Sequence, residues 1–494
     1  MLSLALCLTY RAALAAPVVA TPDGSVAGHV QGVTEAFLGL PFAAPPVGPL
    51  RWQAPQPVIP WQGVRQAVAF GADCIQEPMQ GPPGPGFINK TSEDCLTLNV
   101  WRPHQRSKRA LPVMVWIYGG AFIMGAGSFP PYDGTPFAEK GVILVNFNYR
   151  MGRFGTFAHP ALTKEAAGGP VADYGTMDQI AVLNWVQKNI ASFGGDPANV
   201  TIFGESAGAS SVNFLMASPL ARHLFARAIS ESGGSSANLQ SLAQAEAQGV
   251  EWAKSVGVAD GDLAALRRLP AATVWGGPVT APAFPVIDGK IITESTNTAF
   301  ADGAVAPVPY LVGSNGYEES LLRWLPDAGK KLVRDNPHAE AALSLYAAPG
   351  RSDNQAMQKM WGDQAMTLPA RTRAADMAGR GAKTWLYRYA YVPESLRGTV
   401  PGAGHEAEIE MVFNTRNGRV RHAWSDRDLA MAHTMQGYWV NFARTGNPNG
   451  PGLPVWPAYA IPGQPEIVFA DTGVTVAHDL DKKRLDILQS SVAP

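Results

Sequence analysis

The sequence predicts an α/β fold with a central, mostly parallel β-sheet flanked by helices. Short apolar segments rich in β-branched and aromatic residues recur at 111–118, 142–149, 200–203, 225–232, 308–315 and 384–391. Continuous apolar runs of this length are typical of strands covered on both faces in a parallel sheet. Helical or turn-rich segments separate them, and this alternation indicates strand–helix–strand connections.

One connecting segment shows the helical pattern most clearly. Apolar residues recur at near-helical spacing from Ile180 to Ile190, and the pattern stops at Gly194 and Gly195. Glycine just beyond the last periodic residue is a common end of a helix. The segment is therefore predicted to be a crossover helix that leads into the strand at 200–203.

Length and composition limit the possible functions. With 494 residues, of which 46% are hydrophobic, the chain can bury a large core. Single α/β enzyme cores with insertions reach this size, so we expect one domain over residues 17–494. The 39 Lys and Arg nearly balance the 40 Asp and Glu, and no basic run is longer than 106–109. Nucleic acid and anionic membrane surfaces are therefore not expected partners.

The N-terminal segment, residues 1–16, is interpreted as a secretory signal peptide. It has an apolar run followed by small residues that end in an A-x-A pattern at 13–15, although Arg11 interrupts the run and a charged first region is missing. A misassigned start within a longer leader, or a first element of the fold, are the alternatives. No later segment reaches the ~18 apolar residues of a membrane span. We expect a secreted or periplasmic protein without a membrane anchor.

The cysteines agree with export. Cys7 lies in the predicted leader, which leaves Cys74 and Cys95 as a pair in the mature chain. In an oxidising compartment such a pair is expected to form a disulfide. This crosslink would contribute ~3 kcal/mol by loop-closure entropy. Two free buried thiols are the alternative if the leader is misinterpreted.

The segment "VTIFGESAGASS" at 200–211 predicts a nucleophilic serine. Gly204, Ser206 and Gly208 fit G-x-S-x-G, a sharp strand-to-helix turn that exposes a strained serine above the sheet. The N-terminus of the following helix then lies beneath any oxyanion formed at that serine. An ordinary Gly-Ser turn is less favoured, because an apolar strand precedes the motif and a helical segment follows it.

A serine nucleophile needs a base, and in this kind of fold the order along the chain is serine, acid, histidine. His405 lies in a loop of small residues after the strand at 384–391, where a base is expected. His433 belongs to an amphipathic helical segment and is interpreted as a packing residue. The surroundings of His338, His422 and His478 are polar, so we expect these side chains to be solvated.

Two candidates for the acid and one segment for the oxyanion hole remain. Glu318 and Glu319 follow the strand at 308–315, and spacing does not choose between them. The strand at 111–118 runs into 119–121, "GGA", whose backbone N–H groups have little obstruction. Each such donor is typically worth ~3 kcal/mol in the transition state. A glycine-rich turn without this role is the alternative.

These motifs resemble the type-B carboxylesterase family, which includes cholinesterases, bacterial para-nitrobenzyl esterases and some fungal lipases. "FLGLPFAAPPVGPLRW" at 37–52, "EDCLTLNVWRP" at 93–103 and "FGGDPANVTIFGESAG" at 193–208 fit its N-terminal, cysteine and serine signatures. The resemblance spans most of the mature chain. It implies the α/β-hydrolase fold, with insertions around Trp275 and at 321–366 that line a substrate gorge.

The resemblance also implies the roles of individual residues. The acid of the family falls on Glu318, with Glu319 where the family usually has glycine, and its histidine falls on His405. Its oxyanion donors fall on Gly120, Ala121 and Ala207, with Ala121 in place of a commoner glycine. Its first disulfide joins Cys74 to Cys95, and its buried ion pairs join Arg51 to Glu93 and Arg150 to Asp173.

The expected function is carboxylic-ester hydrolysis through an acyl-enzyme on Ser206. The partners are a small-molecule ester and water, and no metal, organic cofactor or obligate protein partner is expected. A lipase or amidase, and a noncatalytic adhesion module, are the alternatives. Choline-selective relatives carry a tryptophan in the disulfide loop, and the segment from Cys74 to Cys95 has none, with Phe87 as its aromatic residue. A quaternary-ammonium site of that kind is therefore disfavoured.

Overall fold

The computed structural model of the chain describes residues 16–77, 90–234, 239–259, 261–276, 284–324, 330, 338–416 and 422–490. The predicted leader lies outside this range except for its last residue, so both the leader and its export remain predictions. Parts of the two predicted gorge insertions and of the Cys74–Cys95 loop also lie outside it. None of the helices in the described part is long and apolar enough to cross a membrane.

The strands of the described chain are easiest to follow in sequence order. They are β1 (Val18–Thr21), β2 (Gly24–Ala27), β3 (His29–Gln31), β4 (Thr34–Pro41), β5 (Val64–Gln66), β6 (Asp73–Cys74), β7 (Thr91–Ser92), β8 (Thr97–Pro103), β9 (Leu111–Ile117), β10 (Ile143–Phe147), β11 (Gly195–Glu205), β12 (Arg227–Glu231), β13 (Tyr310–Asn315), β14 (Thr384–Ala390), β15 (Pro465–Ala470) and β16 (Gly473–His478).

A mixed sheet of eleven strands forms the centre of the fold. Its order is β16-β15-β14-β13-β12-β11-β9-β10-β8-β4-β3. Pairing is parallel from β10 through β9 and β11 to β15. The six apolar segments identified in the sequence are β9 to β14, so the predicted parallel core is confirmed. Two small sheets, β1-β2-β5 and β6-β7, lie beside it in the described chain.

The antiparallel margin of the sheet was not predicted, because polar residues interrupt its hydrophobic pattern. In β8, Asn99 and Arg102 are buried, and each has a partner on a neighbouring strand. The amide of Asn99 donates to Asn146 at 2.7 Å, and Arg102 pairs with Glu35 at 2.6 Å. Buried polar groups are tolerated when they are hydrogen-bonded, so a criterion based on apolar runs misses such strands.

The helices of the described chain flank this sheet. They are α1 (Thr135–Glu139), α2 (Gly152–Gly155), α3 (Pro160–Glu165), α4 (Tyr174–Asn189), α5 (Ala207–Ala217), α6 (Leu242–Ser255), α7 (Leu263–Arg268), α8 (Ala271–Gly276), α9 (Thr296–Asp302), α10 (Ala339–Ser344), α11 (Asp353–Gly362), α12 (Leu368–Gly379), α13 (Ile409–Phe413), α14 (Asp426–Thr445) and α15 (Lys482–Gln489). The predicted crossover helix is α4. It is continued by a short 3-10 turn that ends at Gly194. Gly194 has a φ of 90°, a left-handed backbone conformation that costs little free energy for a residue without a side chain.

Aromatic side chains fix the strand that leads to the candidate serine. Phe203, near the end of β11, packs on Trp116 with ring centroids 4.8 Å apart, and Trp116 meets Phe413 edge-on at 4.9 Å. All three rings are buried. Aromatic pairs add about 0.5–1.5 kcal/mol beyond their area burial. The end of β11 is therefore held from β9 and from α13.

The predicted disulfide is confirmed, and so is one of the two ion pairs. Cys74 and Cys95 are bonded, with Cα atoms 5.0 Å apart. Arg51 makes two hydrogen bonds to the Glu93 carboxylate, at 2.6 and 2.8 Å. This planar, two-point contact is the geometry that arginine offers a carboxylate.

The predicted pairing of Arg150 with Asp173 is wrong. Arg150 instead forms two hydrogen bonds of 2.8 Å with Asp178, and both side chains are buried. Asp178 lies in the second turn of α4, facing the end of β10. Asp173 precedes the helix, and its carboxyl accepts a hydrogen bond from the Val286 N–H at 2.9 Å. Asp178 lies five residues beyond Asp173, on the face of α4 that meets Arg150, and this placement explains the correction.

Candidate active site

Ser206 occupies the sharp turn between β11 and α5. Its φ of 57° and ψ of −122° are sparsely populated for a residue with a side chain. A Cβ added to Gly208 would lie 1.9 Å from the Ile117 carbonyl oxygen, and one added to Gly204 would lie 2.5 Å from it. Both glycines are therefore required by the close approach of β9. The strained turn predicted from G-x-S-x-G is confirmed.

His405 and Glu318 meet at the same edge of the sheet. The His405 Nδ1 lies 2.6 Å from Glu318 Oε2, and the Glu318 side chain is fully buried. The other Glu318 oxygen accepts hydrogen bonds from Ser232 Oγ at 2.6 Å and from the Asn315 N–H at 2.7 Å. Burial disfavours the charged carboxylate, but His405 and these donors outweigh it, so the pKa of Glu318 lies below its usual value.

The contact between His405 and Glu318 distinguishes Glu318 from Glu319, between which the sequence spacing did not choose. Glu318 begins a 3-10 turn, Glu318–Arg323, directly after β13. The Glu319 side chain points elsewhere, towards Lys359 on α11. Of these two acids, Glu318 contacts the imidazole, in agreement with the family resemblance.

The second nitrogen of His405 faces another carboxyl group. Its Nε2 lies 3.1 Å from Oε1 of Glu205, the residue that immediately precedes Ser206. Burial opposes protonation of the imidazole, but the charges of Glu205 and Glu318 outweigh it and raise the pKa of His405 to about 10. In the described part of the chain, His405 Nε2 has no hydrogen-bond partner, Ser206 included. The histidine thus lies over the turn but is not bonded to the serine in this structure.

The backbone beside Ser206 offers N–H groups without acceptors. After β9 the chain turns through Gly120 and Ala121, with φ of 104° and 53°. A Cβ on Gly119 would lie 3.0 Å from Ser206 Cβ, so this turn approaches the serine closely. Within the described ranges, the N–H groups of Gly120, Ala121 and Ala207 donate to no protein acceptor. Unpaired donors at this position can stabilise negative charge on a substrate oxygen.

Buried carboxyl groups behind the histidine were missed by sequence reasoning. Glu205, Glu231 and Glu408 are fully buried. Burial is the largest cause that raises their pKa values, well above the usual range for Glu205 and Glu231, and to about 7 for Glu408. Glu205 lies within the G-x-S-x-G motif, but nothing in the sequence indicates that its side chain turns away from solvent.

The other histidines differ in part from their interpretation. His433 is exposed on α14 rather than packed. The imidazole of His422 is only 2% exposed and contacts Glu410 at 2.8 Å, so it is not solvated. His338 and His478 are exposed, as predicted. Among the described residues, no group of three or more His, Cys, Asp or Glu side chains could hold a metal ion.

The parallel sheet, the strained serine and the histidine–glutamate pair together define an enzyme of the α/β-hydrolase fold. Comparison with known proteins gives the family. The chain matches the Carboxylesterase family over residues 15–345 and 343–488. It belongs to this family, and it is a carboxylic-ester hydrolase.

Similar proteins are found among both sequences and structures. Fumonisin B1 esterase of Sphingopyxis macrogoltabida is 37% identical, with 90% of this chain and 85% of that protein covered. Para-nitrobenzyl esterase of Bacillus subtilis (strain 168) is 35% identical, with 94% and 97% covered. A structure of PNB esterase superimposes with a TM-score of 0.83 at 32% identity, covering 95% of this chain and 99% of that one. The Geobacillus stearothermophilus carboxylesterase EST55 gives a TM-score of 0.83 at 33% identity, with 96% and 100% covered.

Proposed function

We propose that Ser206, His405 and Glu318 are the catalytic triad of this esterase. The observation that carries the proposal is the 2.6 Å contact between His405 Nδ1 and Glu318 Oε2, at the edge of the sheet where Ser206 lies partly exposed on its strained turn. A carboxylate on Nδ1 holds the imidazole in the tautomer whose Nε2 can accept a proton. Catalytic hydrogen bonds often form only in the substrate complex, so the missing serine contact is compatible with this role.

In the first half of the reaction, Ser206 Oγ attacks the ester carbonyl carbon. Its proton passes to His405 Nε2, and the bond between Oγ and the carbon forms as the carbonyl oxygen becomes negative. The N–H groups of Gly120, Ala121 and Ala207 stabilise that oxygen. Collapse of the intermediate breaks the bond to the alcohol oxygen, and the alcohol leaves with the proton from His405.

In the second half, water repeats the same steps on the acyl-enzyme. His405 takes a proton from water, the hydroxide attacks the acyl carbon, and Ser206 leaves with the proton restored. The products are a carboxylic acid and free enzyme. No step requires a metal or an organic cofactor.

We further propose that the substrate has an apolar acyl or alcohol group. The turn after Ala121 presents Ile123, which is 40% exposed, and Phe122, which packs edge-on against the half-exposed Phe284 at 5.9 Å. Apolar side chains beside the oxyanion turn favour an aryl or alkyl ester. One relative is by name a para-nitrobenzyl esterase and another a fumonisin B1 esterase, so both ester types belong in the test.

Ester hydrolysis by the Ser206→Ala variant tests the triad. We expect a loss of at least about 10⁴-fold in kcat, and near-normal turnover would contradict the proposal. A panel of aryl and alkyl esters of graded acyl length, a fumonisin-type polycarboxylate ester and matched amides then tests the substrate class. Preference for long acyl chains would favour a lipase, and comparable amide cleavage an amidase.

Localisation and domain organisation are also proposals. A disulfide between Cys74 and Cys95 supports a secreted or periplasmic protein, because such bonds persist in oxidising compartments. One domain over residues 17–494 is supported by the single large sheet, which uses strands from both ends of the described chain. N-terminal sequencing of the exported protein would test the cleavage after the predicted leader.

A further inference from the structure

The turn that carries Glu318 is contacted by a lysine from a neighbouring helix. Lys359, on α11, donates a hydrogen bond from Nζ to the Gly316 carbonyl at 3.2 Å and another to Asp363 Oδ1 at 2.9 Å. The same Nζ lies 3.8 Å from Glu319 Oε2. Gly316 is two residues before Glu318, so this lysine contacts the chain on both sides of the candidate acid.

Glu319 is confined to a small space beside that acid. A Cβ added to Gly362 would lie 2.9 Å from Glu319 Oε2 and 3.4 Å from Glu318 Cβ. The Glu319 side chain is only 9% exposed, and its Oε2 accepts no hydrogen bond within the described chain. This chain therefore carries a second carboxylate next to its candidate acid. Burying a carboxylate is costly unless a cation compensates it.

The neighbouring charges show which group depends on Lys359. Burial raises the pKa of Glu319, Lys359 opposes this shift, and Asp363 and Glu318 add to it. Asp363, which is buried, has a second cation in Arg484 at 3.6 Å and accepts a hydrogen bond from Tyr346 OH at 2.9 Å.

For Glu319, Lys359 is the cation within ion-pair distance in the described chain. Tyr317 is a further titratable neighbour, and burial, followed by the charge of Glu319, raises its pKa. Asp363 can therefore keep a partner without the lysine, whereas Glu319 cannot.

We propose that Lys359 is a positioning residue for ester hydrolysis, which acts by neutralising Glu319 so that the turn from Gly316 to Glu319 keeps Glu318 directed at His405. The proposal rests on the triad role of Glu318. Without the lysine, a buried and unpaired carboxylate lies next to the acid, and Coulomb repulsion disfavours two charges so close together. The turn then shifts, and this displacement weakens the support that Glu318 gives the imidazole.

A double-mutant cycle tests this proposal. Lys359→Met is expected to lower kcat about 10- to 100-fold while KM changes little, because a small displacement of a catalytic group has effects of this size. Glu319→Gln removes the charge and should remain within about threefold of wild type. The double variant Lys359→Met/Glu319→Gln should recover to the level of Glu319→Gln, since the two residues are coupled. Lys359→Arg, which keeps the charge, should retain most of the activity.

Lys254→Met is the matched control, because Lys254 forms an exposed pair with Glu251 at 2.9 Å. A double variant as impaired as Lys359→Met, or a loss confined to KM, would overturn the proposal. If Lys359→Met does not fold, the double variant must fold and hydrolyse esters, and its failure would equally overturn it. The triad is judged separately by Ser206→Ala, so an inactive Ser206→Ala with an unaffected Lys359→Met would leave the triad intact and remove only this proposal.

Discussion

Glu205 Oε1 lies 3.1 Å from Nε2 of His405, on the opposite side of the imidazole from Glu318. An imidazole held between two carboxylates is strongly biased towards its protonated form, which cannot act as a base. Burial raises the pKa of Glu205 well above its usual range. A protonated, neutral Glu205 does not stabilise the imidazolium, so the imidazole can stay neutral and act as a base. We infer that the working enzyme has an ionised Glu318 and a protonated Glu205.

Glu205→Gln is therefore expected to leave the acidic limb of the pH profile of kcat/KM where it is in the wild type, because glutamine resembles the neutral carboxyl group. The base must be neutral, so activity rises as pH passes the pKa of His405, and a charged Glu205 is the largest cause that would raise this pKa. If Glu205 were ionised, removing its charge would shift the limb to lower pH by about one pH unit or more. The measurement is kcat/KM between pH 5 and 10, with Glu251→Gln as an exposed control. A limb that moves to lower pH in the variant would contradict a neutral Glu205.

Ser232→Ala should impair catalysis through Glu318. The hydroxyl donates to Glu318 Oε1 at 2.6 Å, and its loss leaves one oxygen of a buried carboxylate with a single donor, the Asn315 N–H. We expect a loss of about 1–3 kcal/mol in unfolding free energy and a fall in kcat that exceeds the change in KM. Steady-state kinetics and urea unfolding measure both. Ser344→Ala, at an exposed serine bonded to the Ala341 carbonyl, is the control and should change neither.

The corrected ion pair gives a prediction about stability. Asp178→Asn removes the charge that Arg150 contacts twice and leaves a buried guanidinium unpaired, which costs about 3–5 kcal/mol. Asp173→Asn should cost much less. Burial and Asp288 raise the pKa of Asp173 well above its usual value, so a neutral side chain already suits this position. Urea unfolding of both variants decides the matter, and equal losses would contradict the assignment.

Glu231→Gln should make the protein less sensitive to alkaline pH. Burial raises the pKa of Glu231 well above its usual 4.5, so its buried neutral form stabilises the folded state at low pH. That stability is lost as pH rises from the unfolded value towards the folded one. Glutamine can still accept the 2.8 Å hydrogen bond from Trp439 Nε1. The difference in Tm between variant and wild type should therefore increase from pH 5 to pH 8, and a constant difference would argue against a neutral Glu231.

Some features of this fold are readable in the sequence because a single physical requirement determines them. Strands β9 to β14 are buried on both faces, so their segments are continuously apolar. The serine turn needs small residues wherever β9 approaches, and Gly204 and Gly208 provide them. The pairing of Cys74 with Cys95 follows from their being the two cysteines outside the predicted leader.

Other features depend on contacts that only the folded chain defines. Asn99 and Arg102 interrupt the apolar pattern of β8, and they become acceptable in a strand only because Asn146 and Glu35 lie opposite. The partner of Arg150 depends on which face of α4 meets the end of β10. The family resemblance implied Asp173, whereas the folded chain presents Asp178. Glu205 occupies a variable position of the G-x-S-x-G motif. Its burial and its contact with His405 become visible only in the folded chain.

Active-site labelling is the sharpest test of Ser206 as the nucleophile. Treatment with a fluorophosphonate, followed by peptide mass spectrometry, should show one adduct on the peptide that contains Ser206, formed in parallel with the loss of esterase activity. Ser206→Ala should take up no label. An adduct at another residue, or full esterase activity after Ser206 is completely labelled, would contradict the assignment of Ser206 as the nucleophile.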